Sequence, residues 1–143
     1  MSKREDREEI IRILREFADQ LLENGLRINS LVLTGSYARG DWLLDSDLDI
    51  IIVFDDFKGL KFYEREELIL RKWKYPLPLE PWCYTRDEIM RFFKEKPRID
   101  VIDALEQGIV IYDDGFWRKI KTEYRNHPYK KSKHGFIILP YNR

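Results

Sequence analysis

Two carboxylates, Asp47 and Asp49, stand directly ahead of the apolar run Ile50-Ile51-Ile52-Val53. Side chains two apart on a strand point the same way, so both acids leave one face where the chain enters the core. Taking a carboxylate out of water is costly, and two neighbours repel unless something positive lies between them. Upstream, another apolar run ends in Gly35-Ser36. A strand, a Gly-Ser turn and a short helix offer backbone amides and a hydroxyl, a combination that holds a triphosphate. Carboxylates together with phosphate oxygens suit Mg²⁺, which prefers hard oxygen ligands and shares them with a substrate. Two such ions, about 3.5–4 Å apart, would activate an attacking hydroxyl and neutralise a leaving pyrophosphate.

Asp-x-Asp alone is a frequent pattern and most often marks only the polar end of a strand. Two other loop chemistries fail on inspection. Asp45-Ser46-Asp47-Leu48-Asp49 copies the start of an EF-hand loop, but Ile50 stands where the turn glycine belongs and Asp56 where the closing glutamate belongs. Gly35 and Gly40 are spaced as in a Walker A loop, yet Asp41-Trp42 follow where Lys-Ser/Thr is required.

The elements that must position these residues follow from periodicity. Ile10, Leu14, Phe17 and Leu21 recur at helical steps among charged neighbours, so residues 4–24 read as an amphipathic helix, closed by Asn24-Gly25. Residues 28–34 read as a strand, Gly35-Ser36 as a turn and 37–42 as a short helix. Residues 49–54, β-branched throughout their core, form a buried strand. Residues 61–74 look helical until Pro76 and Pro78, and 79–84 form a short alternating strand. Thr85-Arg86-Asp87-Glu88 is a capping box opening a helix over 87–93, which Pro97 ends. A helix over 99–106, a strand over 109–112 after Gly108, and a last helix over 116–126 complete the chain. Alternating strands and helices indicate an α+β (α/β) domain with a small mixed sheet flanked by helices.

At 143 residues the chain is the size of one domain, so residues 1–143 are taken as a single unit: N-terminal helix 4–24, motif core 28–115, C-terminal helix and tail 116–143. Charged residues reach 36%, yet 26 Lys and Arg balance 26 Asp and Glu, which argues against nucleic acid as the main partner. Cys83 is the sole cysteine, so neither a disulfide framework nor a cysteine metal site is expected. The first ten residues are charged where a signal peptide needs an apolar run, and no stretch is long enough to span a membrane. A cytoplasmic location is the expectation.

With these residues in view, Gly35-Ser36 followed by Asp47-x-Asp49 resembles the signature of the DNA polymerase beta-like nucleotidyltransferase superfamily. The fuller strings GSYARG and SDLD look most like its minimal nucleotidyltransferases, and 104–112 resembles the family's closing helix and strand. The resemblance implies a third carboxylate on a neighbouring strand, and Glu80 fills that place. It further implies that Asp47, Asp49 and Glu80 are catalytic and ligate two Mg²⁺ ions, with Mn²⁺ as a substitute. Gly35, Ser36 and Arg39 would bind the nucleotide, ATP, whose AMP is transferred to a protein hydroxyl. The implied partner is a HEPN-domain toxin protein, with this chain as the antitoxin of the pair. Two alternatives stay open: an aminoglycoside-type small-molecule nucleotidyltransferase, and a non-catalytic binding antitoxin with this fold. A homo-oligomer is left open as well.

Trp42, Trp73, Trp82 and Trp117 are first read as packing residues, with Trp82, on Glu80's face, the foremost candidate for stacking. His127 and His134 are too few for a metal cluster. Lys130-Lys131-Ser132-Lys133-His134 reads as a solvated basic run, and residues 136–139 are apolar for a tail. Asp55-Asp56 and Asp113-Asp114 read as turn residues.

Overall fold

The computed structural model describes residues 3–126 and two short strands at 130–132 and 135–137. The first helix, α1 (Lys3–Glu23), ends as its sequence requires. Gly25 adopts φ 84°, its N–H donates to Leu22 O and the Leu26 N–H donates to Leu21 O, closing the last carbonyls of the helix. β1 (Ser30–Leu33), α2 (Gly35–Arg39) and β2 (Leu48–Val53) follow. The sequence placed a turn at Gly35-Ser36 and a helix after it. Instead the helix starts at Gly35 itself and stops at Arg39, because Gly40 turns left-handed at φ 91°.

After a 3-10 turn at Asp55–Phe57 come α3 (Phe62–Leu70), β3 (Leu79–Tyr84), α4 (Arg86–Lys94), α5 (Ile99–Gln107), β4 (Ile109–Asp113) and α6 (Phe116–Asn126). α3 is shorter than expected, since the chain turns after Leu70 and the Trp73 indole N–H donates to Leu77 O at 2.7 Å, bracing the approach to β3. A hairpin of β5 (Lys130–Ser132) and β6 (Gly135–Ile137) overlaps the basic run and the start of the apolar tail. The expectations for His127, His134 and residues 138–139 lie outside the described residues.

The main sheet is mixed, in the order β3-β2-β1-β4, with β2 and β3 parallel and β1 antiparallel to both β2 and β4. Period-2 alternation splits the core in two. Leu48, Ile50 and Ile52 pack with Leu14, Phe17 and Leu21 of α1 on one face, while Ile51 and Val53 pack with α4, α5 and α6 on the other. Asp49 alternates with Leu48 and Ile50, so it belongs to the α4–α6 face. Among the described residues no helix is long and apolar enough to cross a membrane.

The capping box forms as read. The Glu88 N–H donates to Thr85 Oγ1 at 3.2 Å, and the Thr85 N–H donates to Glu88 Oε1 at 2.8 Å. Glu88 also receives Arg65 Nη1 at 2.6 Å, and this buried guanidinium further donates to Leu60 O and Cys83 O. Burial alone would raise the Glu88 carboxyl, but the bonds from Arg65 and Thr85 outweigh it and hold it below the usual range. Thr85→Ala is expected to cost about 1 kcal/mol, read from chemical denaturation midpoints, with activity unchanged.

The paired aspartates at turns are structural, as expected. Asp113 accepts from Ser30 Oγ at 2.8 Å and from the N–H groups of Trp117 and Arg118 at the start of α6. Asp55 takes Arg86 Nε at 2.8 Å.

Candidate active site

β1 delivers Gly35 to one end of the sheet, and the parallel strands β2 and β3 deliver Asp49 and Glu80 to the same end, directly opposite each other in register. Gly35 has φ 69°, a backbone setting that side chains with a Cβ rarely adopt. A Cβ built there would overlap Asp49 Oδ2 and lie 3.1 Å from the Asp49 Cβ. Only glycine lets the phosphate-type turn lie flat against the carboxylate.

The Asp49 and Glu80 carboxyl groups are in hydrogen-bond contact, and Trp82 also bonds to Asp49. Burial is the main reason that both carboxyls sit above their ordinary range. The Asp49 contact and the charge of Asp47 push Glu80 further up, while the bonds from Glu80 and Trp82 partly restrain Asp49. Two buried acids in contact repel once ionised, and a cation between them relieves that repulsion.

A cavity of about 550 Å³ opens over this pair, with Thr34, Gly35, Asp49, Glu80 and Trp82 on its sheet side. The opposite wall is the first turn of α5: Arg98, Ile99, Asp100 and Asp103. Arg98 Nε donates to Asp100 Oδ1 at 3.0 Å, Asp100 accepts from the buried Tyr84 hydroxyl, and the Arg98 guanidinium lies over the Tyr84 and Phe92 rings. Ile99 is left 67% exposed at the cavity mouth.

Of the residues singled out from sequence, Gly35, Asp49, Glu80 and Trp82 come together. Asp47 is exposed ahead of β2 and does not line the cavity, although its charge reaches both Asp49 and Glu80. Ser36, in the first turn of α2, is half-buried and outside the lining, and Arg39, at the end of α2, pairs with Asp41 and Asp103. Trp42 stacks on Tyr37, Trp73 meets Phe17 edge-on, and Trp117 is wholly buried, so these three are packing residues. Ser46 braces the loop before the acids, its Oγ accepting the Leu43 N–H at 2.8 Å. Cys83 is no nucleophile, since burial pushes its thiol up to about 12.

Sequence reasoning missed the α5 wall. Its signal was present: Asp100 and Asp103, three apart, share a helix face, while Val101, Ile102, Ala104 and Leu105 are buried.

The donor set fits a hard divalent cation. It is all oxygen, it is made of acids, and it abuts a turn suited to phosphate. Among the described residues no group of three His, Cys, Asp or Glu side chains is arranged to hold a metal ion by itself. A cation at Asp49 and Glu80 therefore calls for further oxygens from a substrate.

The fold is that of a nucleotidyltransferase. The chain belongs to the family described as the nucleotidyltransferase domain, which matches residues 11–131. A Methanocaldococcus jannaschii relative, named as a "putative protein adenylyltransferase", is 41% identical over 61 residues, covering 43% of this chain and 60% of that relative. A second from the same organism, with the same description, is 30% identical over 92 residues, covering 61% of this chain and 91% of the relative. The crystal structure of a "putative nucleotidyltransferase" from Sulfolobus solfataricus aligns over 97% of this chain and 96% of its own, with a TM-score of 0.59 and 18% identity. It shares the fold. The family and fold that Gly35-Ser36 and Asp47-x-Asp49 implied are therefore the ones this chain has.

Proposed function

We propose that this chain transfers AMP from ATP to a hydroxyl-bearing side chain of a partner protein. The observation that carries the reading is the hydrogen-bonded Asp49–Glu80 pair lying against Gly35. Gly35 and Ser36 receive the β- and γ-phosphates on backbone N–H groups and the Ser36 hydroxyl, with Arg39 offsetting their charge. Asp49 and Glu80, with Asp47 from the rim and phosphate oxygens of the substrate completing the set, would hold Mg²⁺, or Mn²⁺ in its place, which when bound lowers the acceptor hydroxyl's pKa and screens the leaving pyrophosphate.

The sheet order β3-β2-β1 lays Glu80, Asp49 and Gly35 in a row. In a displacement at phosphorus the entering and leaving oxygens stand in line. With pyrophosphate held at Gly35, the acceptor oxygen enters on the Glu80 side. Its lone pair forms the new bond to the α-phosphorus as the bond to the pyrophosphate oxygen breaks, and Glu80 takes the proton. A carboxyl whose affinity for protons is raised by burial is suited to that task. The protein acceptor and the adenylyl group are supported by the descriptions of the M. jannaschii relatives. The HEPN-domain toxin as that acceptor rests on the motif resemblance.

The test is incubation of the full chain with Mg²⁺, labelled ATP and the product of the adjacent gene, beside an Asp47→Asn/Asp49→Asn double variant. Label on the partner that the variant cannot install is the expected result. An unlabelled partner held inhibited in a stable complex would establish a binding module in its place. Label confined to small alcohols or aminoglycosides would identify a small-molecule enzyme.

A further inference from the structure

We infer that Asp103 is a positioning residue for nucleotide binding: it fixes the Arg39 guanidinium over the mouth of the cavity, where a triphosphate meets it. This rests on the nucleotidyltransferase reading above and adds to it a residue on an element outside the Gly-Ser and carboxylate motifs.

Arg39 is the last residue of α2, a helix of a single turn. Such a short element holds a long side chain poorly, and a guanidinium on a flexible stem binds phosphate well only if its orientation is set. Arg39 has two carboxylates to choose from. Its Nε donates to Asp41 Oδ2 at 3.3 Å, and its Nη1 donates to Asp103 Oδ2 at 3.4 Å. The two partners differ in their relation to the site. Asp41 is in the solvent-facing loop after Gly40, with its side chain 64% exposed, and it is absent from the cavity. Asp103 lines the same cavity as Asp49 and Glu80, and its side chain is 28% exposed.

The two partners also differ in rigidity. Asp103 rides on α5, whose Val101, Ile102, Ala104 and Leu105 are buried against the sheet. The end of that helix is pressed so closely on β1 that a Cβ at Gly108 would come 2.8 Å from Val32 Cγ1. Asp103 is thus a fixed point on a clamped helix, whereas Asp41 is on a loop. Arg39 stays close enough to Asp49 for its charge to act on that carboxyl. Remove the Asp103 charge, and Asp41 is left to draw the guanidinium toward solvent.

The measurement is calorimetric binding of Mg²⁺ with a non-hydrolysable ATP analogue to the full chain and its variants. Asp103→Asn is expected to weaken binding roughly three- to fivefold, the scale of a half-exposed charge pair, with Asp103→Glu recovering most of it. Asp41→Asn, which removes the competing partner, is expected to bind as well as the parent or better. In an Arg39→Ala background, Asp103→Asn should have no further effect, because its action runs through Arg39.

Tighter binding by Asp103→Asn would show that Asp103 competes with phosphate for Arg39, and equal binding would show that it does not orient it; either overturns the inference. So does a loss of the same size in the Arg39→Ala background, which marks a merely structural role. Failure of the parent protein to bind the analogue would instead overturn the nucleotidyltransferase reading itself.

Discussion

Asp49→Asn is expected to cut AMP transfer by at least about a thousandfold and, at neutral pH without metal, to raise the melting temperature by a few degrees. Both effects have one source. Asp49 and Glu80 are carboxyls that burial places above their ordinary range, in contact with each other and near a third acid, Asp47. A carboxyl whose folded-state pKa is raised binds more protons folded than unfolded. Stability therefore falls as pH climbs through the window between the ordinary values, 3.8 for Asp and 4.5 for Glu, and the raised ones. Above that window the fold bears the whole of the penalty.

Asparagine removes one charge and keeps the shape, so the variant escapes the penalty. The advantage should shrink as pH is lowered toward the ordinary carboxylate range, where the parent's pair is protonated too. Glu80→Gln should behave alike. Mg²⁺ with nucleotide should stabilise the parent and leave the variant nearly unmoved, since the cation offsets the repulsion of the ionised pair. Differential scanning calorimetry across pH, with and without Mg²⁺ and nucleotide, reads all of this. A variant less stable than the parent at neutral pH would mean that the pair is a structural bond and that the site was assigned wrongly.

How far the sequence alone leads is clearest at β2 and β3. Ile50 to Val53 had to be a buried strand because the run is apolar and β-branched throughout, and the acids directly ahead of it had to stand at its end. Glu80 was found through the motif resemblance, and the parallel register that sets it opposite Asp49 is a long-range fact that no local pattern carries. Local chemistry also read the Thr85 capping box and the Gly25 helix stop correctly, since each is decided within a few residues.

What stayed hidden was set by tertiary contact. The α5 wall turns Arg98, Asp100 and Asp103 toward a site defined by residues far earlier in the chain. Arg65, on which the sequence carried no signal, is buried against Phe57, Phe62, Glu88 and the Cys83 carbonyl. Asp47 and Asp49 were read as equivalent, yet the strand begins between them. One acid is thereby half-buried in the site, and the other is left in water at its rim.

Gly35→Ala is expected to lower AMP transfer by two orders of magnitude or more, chiefly by misplacing Asp49, whereas Gly40→Ala should leave transfer near the parent level. The pair of variants separates two costs that glycine positions confound. Both residues have positive φ, 69° and 91°, so alanine strains the backbone at either one by about 1–2 kcal/mol. Similar falls in melting temperature should result. Only at Gly35 does the new methyl meet the site, overlapping Asp49 Oδ2 and crowding the Asp49 Cβ at 3.1 Å. That Cβ cannot retreat, because Asp49 is held in the ladder between β1 and β3, its carbonyl accepting the Thr34 N–H at 3.0 Å. The carboxylate must rotate away from Glu80 or the phosphate turn must lift. At Gly40 the nearest group is the far end of a flexible side chain, Arg7 Nη1 at 3.5 Å, which can yield. Steady-state transfer rates beside melting temperatures for the two variants decide the matter. Equal losses of transfer would mean that backbone strain in α2, and not the contact with Asp49, is what requires glycine. A selective loss at Gly35 ties the phosphate turn and the carboxylate pair into one rigid unit, in which neither half can move without the other.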